Sequence, residues 1–463
     1  MEMEPRDTIA ACATASGAGG VAIVRLSGPA ALAVATVVTG RAVTAWPERR
    51  LVRVRLRDAA GARLDDGLGV AMRGPRSFTG EDVVELHVHG GAVNVGAVLG
   101  AVVAAGARLA EPGEFTRRAL AAGKLSVAEA EALLAVVTAP STRAWALAQE
   151  QLGGALARAV RGLRDRASGV LATLDAMLDF PEDGLAPADR DALIAELAAV
   201  SAGAASLERS FVAARALGDG LVVALVGAVN AGKSSLLNAL VGEERVLVSE
   251  EPGTTRDYVE VRTIWDGVAV TLVDTAGERA AAAGLEERGI ALGRRRAARA
   301  DVVVRVVGPD DVGEAVGEAV GGEVGGEVGG EAVGEAVGGE VGGELQVASK
   351  VDLGWGPGPA LLPTSAVTGV GVAELRRAIV ARVGLAEDVE AGSAVLLTER
   401  QRAAAAAARA AADAGAGALR AGRPLELAAI DVRAAATALA ALEGESVGEE
   451  ILDQLFARFC IGK

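Results

Sequence analysis

The chain has few aromatic residues, only two cysteines and no long hydrophobic run. Aromatics make up 2% of the 463 residues. Cys12 and Cys460 lie at opposite ends of the chain, which excludes a disulfide scaffold or a cysteine-rich zinc site and fits a reducing compartment. Apolar stretches such as 96–107 reach about a dozen residues, whereas a membrane helix needs roughly twenty. Because the N-terminus is acidic and lacks a secretion signal, we expect a soluble, cytoplasmic protein without a membrane partner.

The net charge of −15 is concentrated in one segment of the chain. Residues 310–344 hold eight glutamates, two aspartates and no lysine or arginine, so the rest of the chain carries only −5. Three basic clusters remain, and each is either a solvated face or an RNA contact. They are Arg49, Arg50, Arg53, Arg55 and Arg57; Arg158, Arg161, Arg164 and Arg166; and Arg294, Arg295, Arg296 and Arg299. Charge alone neither favours nor excludes a nucleic-acid partner.

Changes in local composition predict a multidomain chain of α+β and α/β class. Residues 1–122 alternate short β-like runs with glycine-rich turns and helical stretches, as an α+β domain does. Residues 123–217 and 384–463 are alanine-rich and helical. Residues 218–383 alternate apolar strands with helices, which is typical of a parallel sheet with helices on both faces. The simplest arrangement inserts this α/β domain between two halves of one helical domain, and a linear string of domains is the alternative.

An acidic repeat interrupts the α/β segment. Residues 312–344 repeat GEAV and GGEV units and contain thirteen glycines. Each glycine disfavours a helix by about 1 kcal/mol relative to alanine. The negative charges also repel one another, so we predict a disordered loop where such folds usually carry a surface helix.

A phosphate-binding motif follows the first apolar strand of the α/β segment. Residues 221–226 run into GAVNAGKSS, which matches G-x-x-x-x-G-K-[ST] with Gly232, Lys233 and Ser234 in the defining positions. The glycines let backbone N–H groups surround a phosphate at the positive end of the next helix. Lys233 is expected to reach the β- and γ-phosphates, and the Ser234 hydroxyl to ligate Mg²⁺.

Later motifs select guanine. The apolar strand 268–273 ends in DTAG, whose Asp274 can bind Mg²⁺ through water. In VASKVDL, Asp352 supplies the carboxylate that guanine's ring N–H donors need, and Lys350 packs beneath the base. The usual Asn-Lys-x-Asp pattern has Ser349 in place of Asn, which is expected to weaken nucleotide affinity. Ser365-Ala366 then matches the loop that contacts guanine O6. Together with the phosphate loop, these motifs predict an inserted P-loop GTPase domain.

The segment EEPGTTRD at 250–257 matches a first switch region, with Thr255 as the expected Mg²⁺ and γ-phosphate ligand. Together with Asn230, it resembles GTPases that bind potassium where others insert an arginine finger. Arg256 is a finger candidate by type, but its neighbour Asp257 favours a structural ion pair. Glu278 occupies the position after DTAG where many GTPases hold a catalytic glutamine.

The whole chain resembles the tRNA modification GTPases of the MnmE (TrmE) family. The resemblance rests on DTIAACATASGAGGVAIVRLSG at 7–28, GPRSFTGEDVVELHVHGG at 74–91, EPGEFTRRALAAGKLSVAEAEAL at 111–133, the G motifs and the closing FCIGK at 459–463. Only the repeat at 312–344 is foreign to the family. A ribosome-assembly GTPase is the alternative, but it would carry a basic RNA-binding appendage in place of these ends.

The resemblance implies a GTP hydrolase that installs aminomethyl-type groups at carbon 5 of the wobble uridine of certain tRNAs. It implies a homodimer whose G domains pair to hydrolyse GTP with potassium, and a heterotetramer with the FAD-dependent MnmG (GidA) protein. The implied cofactors are Mg²⁺, K⁺ and 5-formyltetrahydrofolate or another one-carbon tetrahydrofolate. The resemblance implies that the N-terminal α+β domain, residues 1–122, binds the folate and mediates dimerisation.

The resemblance also implies the site residues. The catalytic residue is Glu286 in the ExxGI segment, with Glu287 as the competing assignment. The folate-binding residues are Arg25, Glu85, Lys124 and Lys463. The metal ligands are Ser234 and Thr255 for Mg²⁺, and Asn230, Ser249, Glu251 and Thr254 for K⁺. The GTP-binding residues are Asn230, Ala231, Gly232, Lys233, Ser234, Ser235, Ser249, Glu250, Glu251, Pro252, Gly253, Thr254, Thr255, Asp274, Thr275, Ala276, Gly277, Ser349, Lys350, Asp352, Ser365 and Ala366. Cys460 is either a packed thiol or a chemical participant.

Overall fold

The computed structural model describes residues 7–15, 17–179, 187–228, 230–242, 260–274, 300–311, 344–356, 358, 361–383, 394–445 and 447–462. The chain packs as two compact units, Met1–Leu134 with Ala440–Lys463, and Ala135–Leu439. In the part of the chain that is described, each unit contains one six-stranded sheet. This division follows packing alone, so the domain boundaries given above remain predictions.

The sheet of the first unit has the order β3-β4-β5-β2-β1-β6. Its strands are β1 (Ile9–Cys12), β2 (Gly19–Ser27), β3 (Val52–Arg57), β4 (Arg63–Met72), β5 (Val83–Gly90) and β6 (Arg108–Leu109). Because side chains alternate along a strand, Val24, Leu26 and Leu86 share one buried face. They join the core of α1 (Ala31–Thr39) and α2 (Ala92–Ala104). The residues that alternate with these along each strand, including Arg25, have their side chains on the other face of the sheet.

Helices and the C-terminal segment complete the first unit. The helices are α3 (Glu114–Ala121), the first part of α4 (Val127–Thr138) and, near the C-terminus, Glu449–Ala457. Phe456 and Phe459 pack with Ala130 and Leu134 in one cluster. A Cβ added at Gly462 would lie 2.3 Å from the Cys12 carbonyl oxygen, so the C-terminal segment closely contacts the end of β1.

The second unit begins with helices α5 (Thr142–Leu152), α6 (Ala155–Asp179) and α7 (Pro187–Gly218). Helix α6 ends at Asp179 and α7 begins at Pro187, where proline suits the first helical position. Leu174 of α6 and Leu197 of α7 are buried together with residues of the C-terminal helices of this unit.

The second sheet follows, in the order β12-β11-β10-β7-β9-β8. Its strands are β7 (Leu221–Val226), β8 (Glu260–Trp265), β9 (Val268–Asp274), β10 (Val302–Val307), β11 (Glu344–Ala348) and β12 (Leu362–Pro363). The helices α8 (Lys233–Val241), α9 (Val372–Arg382), α10 (Glu399–Arg420) and most of α11 (Leu425–Glu443) also belong to this unit, and the helix Glu449–Ala457 of the first unit is α12. Among the described strands of this sheet, β8 and β9 pair antiparallel and the other pairings are parallel. The predicted mixed α+β and α/β fold class is confirmed.

Glu344 is the first residue of β11, so the loop predicted over 312–344 is one residue too long at its end. Residues 312–343 lie outside the described part of the chain. The strands on either side, β10 and β11, pair directly in parallel register, with Val303 opposite Glu344. Within the described residues, none of the helices combines the length and the apolar character that crossing a membrane requires.

Candidate functional site

The predicted nucleotide motifs meet at the carboxyl edge of the second sheet. Strands β7, β9, β10, β11 and β12 run parallel, so the segments that follow them emerge at the same edge. In open α/β sheets this edge is where ligands bind. The phosphate loop follows β7, Asp274 ends β9, Ser349 follows β11, and Ser365 follows β12.

The phosphate loop has the backbone conformation that its glycines predict. Gly227 has φ of 152°, and a Cβ there would lie 2.2 Å from the carbonyl oxygen of Val306. Gly232 has φ of 96° immediately before α8. Asn230 has φ of 63°, a left-handed conformation that asparagine adopts more readily than most residues. The close approach at Gly227 explains why this position needs glycine.

The Lys233 side chain is folded into the phosphate loop. It is buried, and its Nζ donates hydrogen bonds to the carbonyl oxygens of Gly227 at 2.9 Å and Ala228 at 2.6 Å. Ser234 and Ser235 are exposed in the first turn of α8. The positive helix end and a cation therefore occur together, which is the arrangement that binds a phosphate.

The loop after β11 is joined to the phosphate loop by two side chains. The buried Ser349 hydroxyl donates a hydrogen bond to the carbonyl oxygen of Ala231. Lys350, which has φ of 56°, donates from Nζ to the carbonyl oxygen of Asn230 at 2.6 Å. The predicted weakening of affinity by Ser349 remains a prediction, but the serine does connect the two loops.

A third loop is joined through the carboxylate that sequence reasoning assigned to guanine. The Ser365 hydroxyl donates to Asp352 Oδ1 at 2.6 Å and accepts from the Thr368 N–H at 3.1 Å. The indole N–H of Trp355 donates to the Ser349 carbonyl at 2.9 Å. Sequence reasoning missed Trp355, although a tryptophan in the glycine- and proline-rich stretch after Asp352 was a usable signal.

Several predicted site residues lie outside the described part of the chain. They are Ser249, Glu250, Glu251, Pro252, Gly253, Thr254, Thr255, Thr275, Ala276, Gly277, Glu286 and Lys463, together with the alternatives Arg256, Glu278 and Glu287. Their assignments remain predictions.

In the first unit, Arg25 and Glu85 form a cross-strand ion pair. They are direct partners in the β2–β5 register, and Arg25 Nε lies 2.9 Å from Glu85 Oε1. Arg25 also donates from Nη1 to the Gly462 carbonyl at 3.2 Å. The guanidinium lies 5.8 Å from the centroid of the Phe115 ring, a cation–π contact that the sequence did not reveal. Arg25, Glu85 and the end of the chain are thus brought together.

Lys124 lies near Gly80, in the segment that precedes β5. A Cβ added at Gly80 would lie 3.5 Å from Lys124 Cε, and Lys124 is exposed. Glu81, next to Gly80, accepts from the Ser27 hydroxyl at 2.7 Å. Because Ser27 is two residues from Arg25 on one strand, contacts lead from Lys124 toward the Arg25–Glu85 pair.

An ion-pair network fixes the helix beside this face. Arg118 contacts Asp7, Glu81 and Glu114. Burial acts to raise the pKa of Glu114, but hydrogen bonds from Arg108, the Glu111 N–H and Arg118 together lower that pKa below its ordinary value. Glu114 is therefore an ionised structural group that anchors α3, the helix carrying Phe115.

Family models match both ends of the chain. A model described as GTP-binding protein TrmE N-terminus matches residues 8–124, and one described as MnmE helical domain matches residues 127–460. Among solved structures, the G domain of the FeoB iron transporter of T. maritima covers 35% of this chain and is itself covered to 98%, at 22% identity and a TM-score of 0.25. An Aquifex aeolicus Era variant bound to GDP and aluminium fluoride covers 41% of this chain and is covered to 66%, at 21% identity and a TM-score of 0.24.

Curated relatives match along the full length. The tRNA modification GTPase MnmE of Synechococcus sp. (strain CC9605) is 42% identical over 472 residues, with 100% of both chains covered. The protein of the same name from Parvibaculum lavamentivorans is 40% identical over 465 residues, covering 99% of this chain and 100% of that one. On these matches, which extend across both units, the chain belongs to the MnmE family of tRNA modification GTPases.

Proposed function

We propose that this chain hydrolyses GTP and takes part in modifying carbon 5 of the wobble uridine of certain tRNAs. The observation that carries the GTPase part is the hydrogen bonding among three loops at one sheet edge. Ser349 and Lys350 contact the phosphate loop, and Ser365 contacts Asp352. The tRNA part is supported by family membership.

Guanine selection follows from the acceptor chemistry of Asp352. A carboxylate accepts only, and guanine presents two neighbouring N–H donors on one edge, whereas adenine does not. The hydrogen bond from Ser365 fixes one carboxylate oxygen. The Lys350 stem lies along the phosphate loop, near Gly232, and offers an apolar surface beneath a base.

Phosphate binding would use the ammonium group of Lys233, which already lies inside the phosphate loop. Lys233 would exchange the carbonyls of Gly227 and Ala228 for β- and γ-phosphate oxygens, while the N–H groups at the start of α8 surround the phosphate. Glu286 would orient the attacking water. These residues position the reactants and stabilise charge, which is the main protein contribution in phosphoryl transfer.

The donor atoms at this edge suit the proposed ions. Mg²⁺ prefers hard oxygen ligands, and the exposed Ser234 hydroxyl in the first turn of α8 is such a donor, with Thr255 as its proposed partner. Potassium would be held by Asn230, Ser249, Glu251 and Thr254. Mg²⁺ would neutralise developing phosphate charge, and K⁺ would replace an arginine finger when two G domains pair in a homodimer.

The first unit would bind 5-formyltetrahydrofolate or a related one-carbon tetrahydrofolate. The Arg25–Glu85 pair beside the Gly462 carbonyl offers donors and acceptors suited to a polar heterocycle with a carboxylate tail. Lys124 and Lys463 would contribute cations. The FAD-dependent MnmG protein would be the partner in a heterotetramer, and the reaction would take place in the cytoplasm.

Two measurements test the proposal. GTP hydrolysis is compared with ATP hydrolysis for the wild type and for Asp352→Asn, which replaces an acceptor oxygen with an N–H donor. We expect GTP to be strongly preferred by the wild type and the preference to be lost in the variant. Unchanged discrimination in Asp352→Asn would contradict the assigned guanine site.

The tRNA role is tested by mass analysis of wobble uridines in a deletion strain. We expect the modified nucleoside to disappear and to return with the wild-type gene but not with Arg25→Ala. Wobble uridines that remain modified in the deletion strain, together with incompletely assembled ribosomal subunits, would instead favour a ribosome-assembly GTPase.

A further inference from the structure

The edge strand β3 carries a dense group of arginines. Residues 41–76 contain nine arginines, four carboxylates and no lysine, a net charge of +5 in a chain whose total is −15. We define the arginine strip as the five side chains on or beside β3. They are Arg41, Arg53, Arg55, Arg57 and Arg63.

The alternation of β3 exposes these side chains on one face. Val54 and Leu56 are buried, whereas Arg53 and Arg55 are 76% and 67% exposed. Arg57 continues the exposed series. Residues two apart on a strand are separated by about 7 Å, so the strand presents a regular row of guanidinium groups.

The strip has little acidic compensation. Asp66 lies 2.8 Å from Arg63, 3.7 Å from Arg53 and 3.8 Å from Arg55, so three arginines share one carboxylate. Arg41 and Arg57 instead donate to backbone carbonyls, those of Arg53 and Gly61. Within the described ranges, Asp66 is the acidic side chain that forms ion pairs with the strip.

Protection of a sheet edge does not account for this pattern. Edge strands are commonly protected by charged side chains, especially lysine, whereas β3 carries three arginines and no lysine. Five neighbouring arginines repel one another, which destabilises the folded unit. Guanidinium groups are instead suited to phosphate, since they bind its oxygens in a bidentate geometry. A row of exposed guanidiniums therefore fits a polyanion with regularly spaced phosphates.

We propose that the arginine strip binds the phosphate backbone of the RNA substrate. The proposal rests on the tRNA function proposed above, because it identifies the surface of the chain that would contact the tRNA. Binding through phosphates holds and orients the RNA without reading its sequence. Selection of particular tRNAs would then depend on other contacts.

The proposal is tested with two variants that change the net charge at the arginine strip in opposite directions. The triple variant R53Q/R55Q/R57Q removes three positive charges from the strip, and Asp66→Asn removes its counter-charge. The matched control R377Q/R420Q/R423Q removes three exposed arginines elsewhere. Binding of an unmodified tRNA transcript to the full-length chain is measured by fluorescence anisotropy over a range of KCl concentrations. Thermal unfolding of each variant is measured as a check on folding.

For the strip variant we expect affinity to fall by about tenfold or more, and the slope of log K against log salt to decrease by about two, since each phosphate contact contributes roughly 0.7–0.9. Asp66→Asn should bind the transcript more tightly than wild type, and the control should change little. Equal losses in the strip variant and the control would overturn the proposal, as would unchanged binding by Asp66→Asn.

A change in oligomeric state distinguishes the remaining alternative. If sedimentation shows that the strip variant dissociates while its RNA affinity is unchanged, the strip is an interface between copies and the proposal is wrong. If the wild-type gene restores wobble modification in the deletion strain, but R53Q/R55Q/R57Q binds the tRNA transcript as tightly as the wild type, this inference alone is refuted. Wobble modification that persists in the deletion strain would refute the proposed function.

Discussion

The hydroxyl group of Ser349 donates a hydrogen bond to the backbone carbonyl of Ala231, so the loop after β11 is attached to the phosphate loop. Ser349 is buried, and its own N–H donates to the Val307 carbonyl at 2.9 Å. The same residue therefore links the end of β10, the loop after β11 and the phosphate loop. An alteration at this position should change nucleotide affinity without removing a direct phosphate ligand.

Ser349→Ala should weaken binding of GDP and GTP about fivefold, because one buried hydrogen bond contributes roughly 1 kcal/mol net. Affinity is measured by titration with a fluorescent guanine nucleotide. Thr364→Val is the matched control, since the buried Thr364 hydroxyl donates to the Ala348 carbonyl at 2.9 Å and does not reach the phosphate loop. Equal effects of the two changes would indicate general destabilisation rather than loss of the loop attachment.

Hydrolysis should depend on potassium, because no arginine finger is evident from the sequence while Asn230 and the 249–254 segment suit a monovalent cation. The rate of GTP hydrolysis is compared in potassium and sodium at equal ionic strength. We expect substantially faster turnover in potassium. Equal rates in the two salts would be inconsistent with a potassium ion that replaces the finger.

Glu286→Ala should reduce kcat by at least about a hundredfold while leaving GTP affinity nearly unchanged, because a water-orienting carboxylate acts mainly in the transition state. Single-turnover hydrolysis and nucleotide titration are both measured. Glu287→Ala and Glu278→Ala are the matched controls and should retain turnover. Normal turnover in Glu286→Ala with an inactive control variant would assign the role to the other glutamate.

Replacing residues 312–343 by a short Gly-Ser linker should leave folding and GTP hydrolysis close to normal. Strands β10 and β11 pair directly with each other on either side of this segment. Loop-closure entropy grows only with the logarithm of length, so a shorter connection costs little free energy. Thermal unfolding and hydrolysis in potassium are measured. An unfolded G domain in the deletion variant would show that the repeat contributes to the folded structure.

Asp65→Asn should destabilise the first unit by about 2 kcal/mol at neutral pH, because hydrogen bonds to a buried charged group contribute more than neutral ones. Burial acts to raise the pKa of Asp65, but hydrogen bonds from the His89 N–H and ring, from Asn94 and from the Asp66 N–H hold that pKa below its ordinary value of 3.8. The stabilisation of the first unit by ionised Asp65 is therefore fully present above pH 3.8, and it is lost as the pH falls through the lowered pKa of Asp65.

Amide hydrogen exchange of peptides from β4 and β5 measures the Asp65 effect, with peptides from β7 as an internal reference. The difference between wild type and variant should be constant from pH 7 to 5 and narrow below about pH 4. Asp66→Asn, which alters the more exposed neighbour, is the control and should have a smaller effect. A wild-type advantage that grew on acidification would contradict the lowered pKa.

The elements of the second sheet were largely predictable from the sequence. The apolar run 221–226 coincides with β7, because a strand buried on both faces needs uninterrupted apolar residues, and the strand predicted at 268–273 is β9, which ends one residue later at Asp274. The helix predicted after the phosphate loop is α8, which begins at Lys233. The short β6 and β12 were not predicted, since two-residue strands depend on a partner strand rather than on local pattern.

The sequence by itself determined the parts of this protein whose chemistry lies in short contiguous segments. The glycine spacing of the phosphate loop, the Lys350–Asp352 segment and the family motifs at both ends depend on local geometry or on residue type. They can therefore be read without coordinates.

Only the tertiary structure decided which distant groups meet. Ser349 lies far along the chain from Ala231, and Arg25 from Gly462, yet each pair is joined by a hydrogen bond. The exposed row of arginines on β3 likewise depends on Val54 and Leu56 being the side chains that face the core. Burial of apolar surface fixes strand register and helix packing across the whole unit, and these in turn determine which polar groups lie within hydrogen-bonding distance.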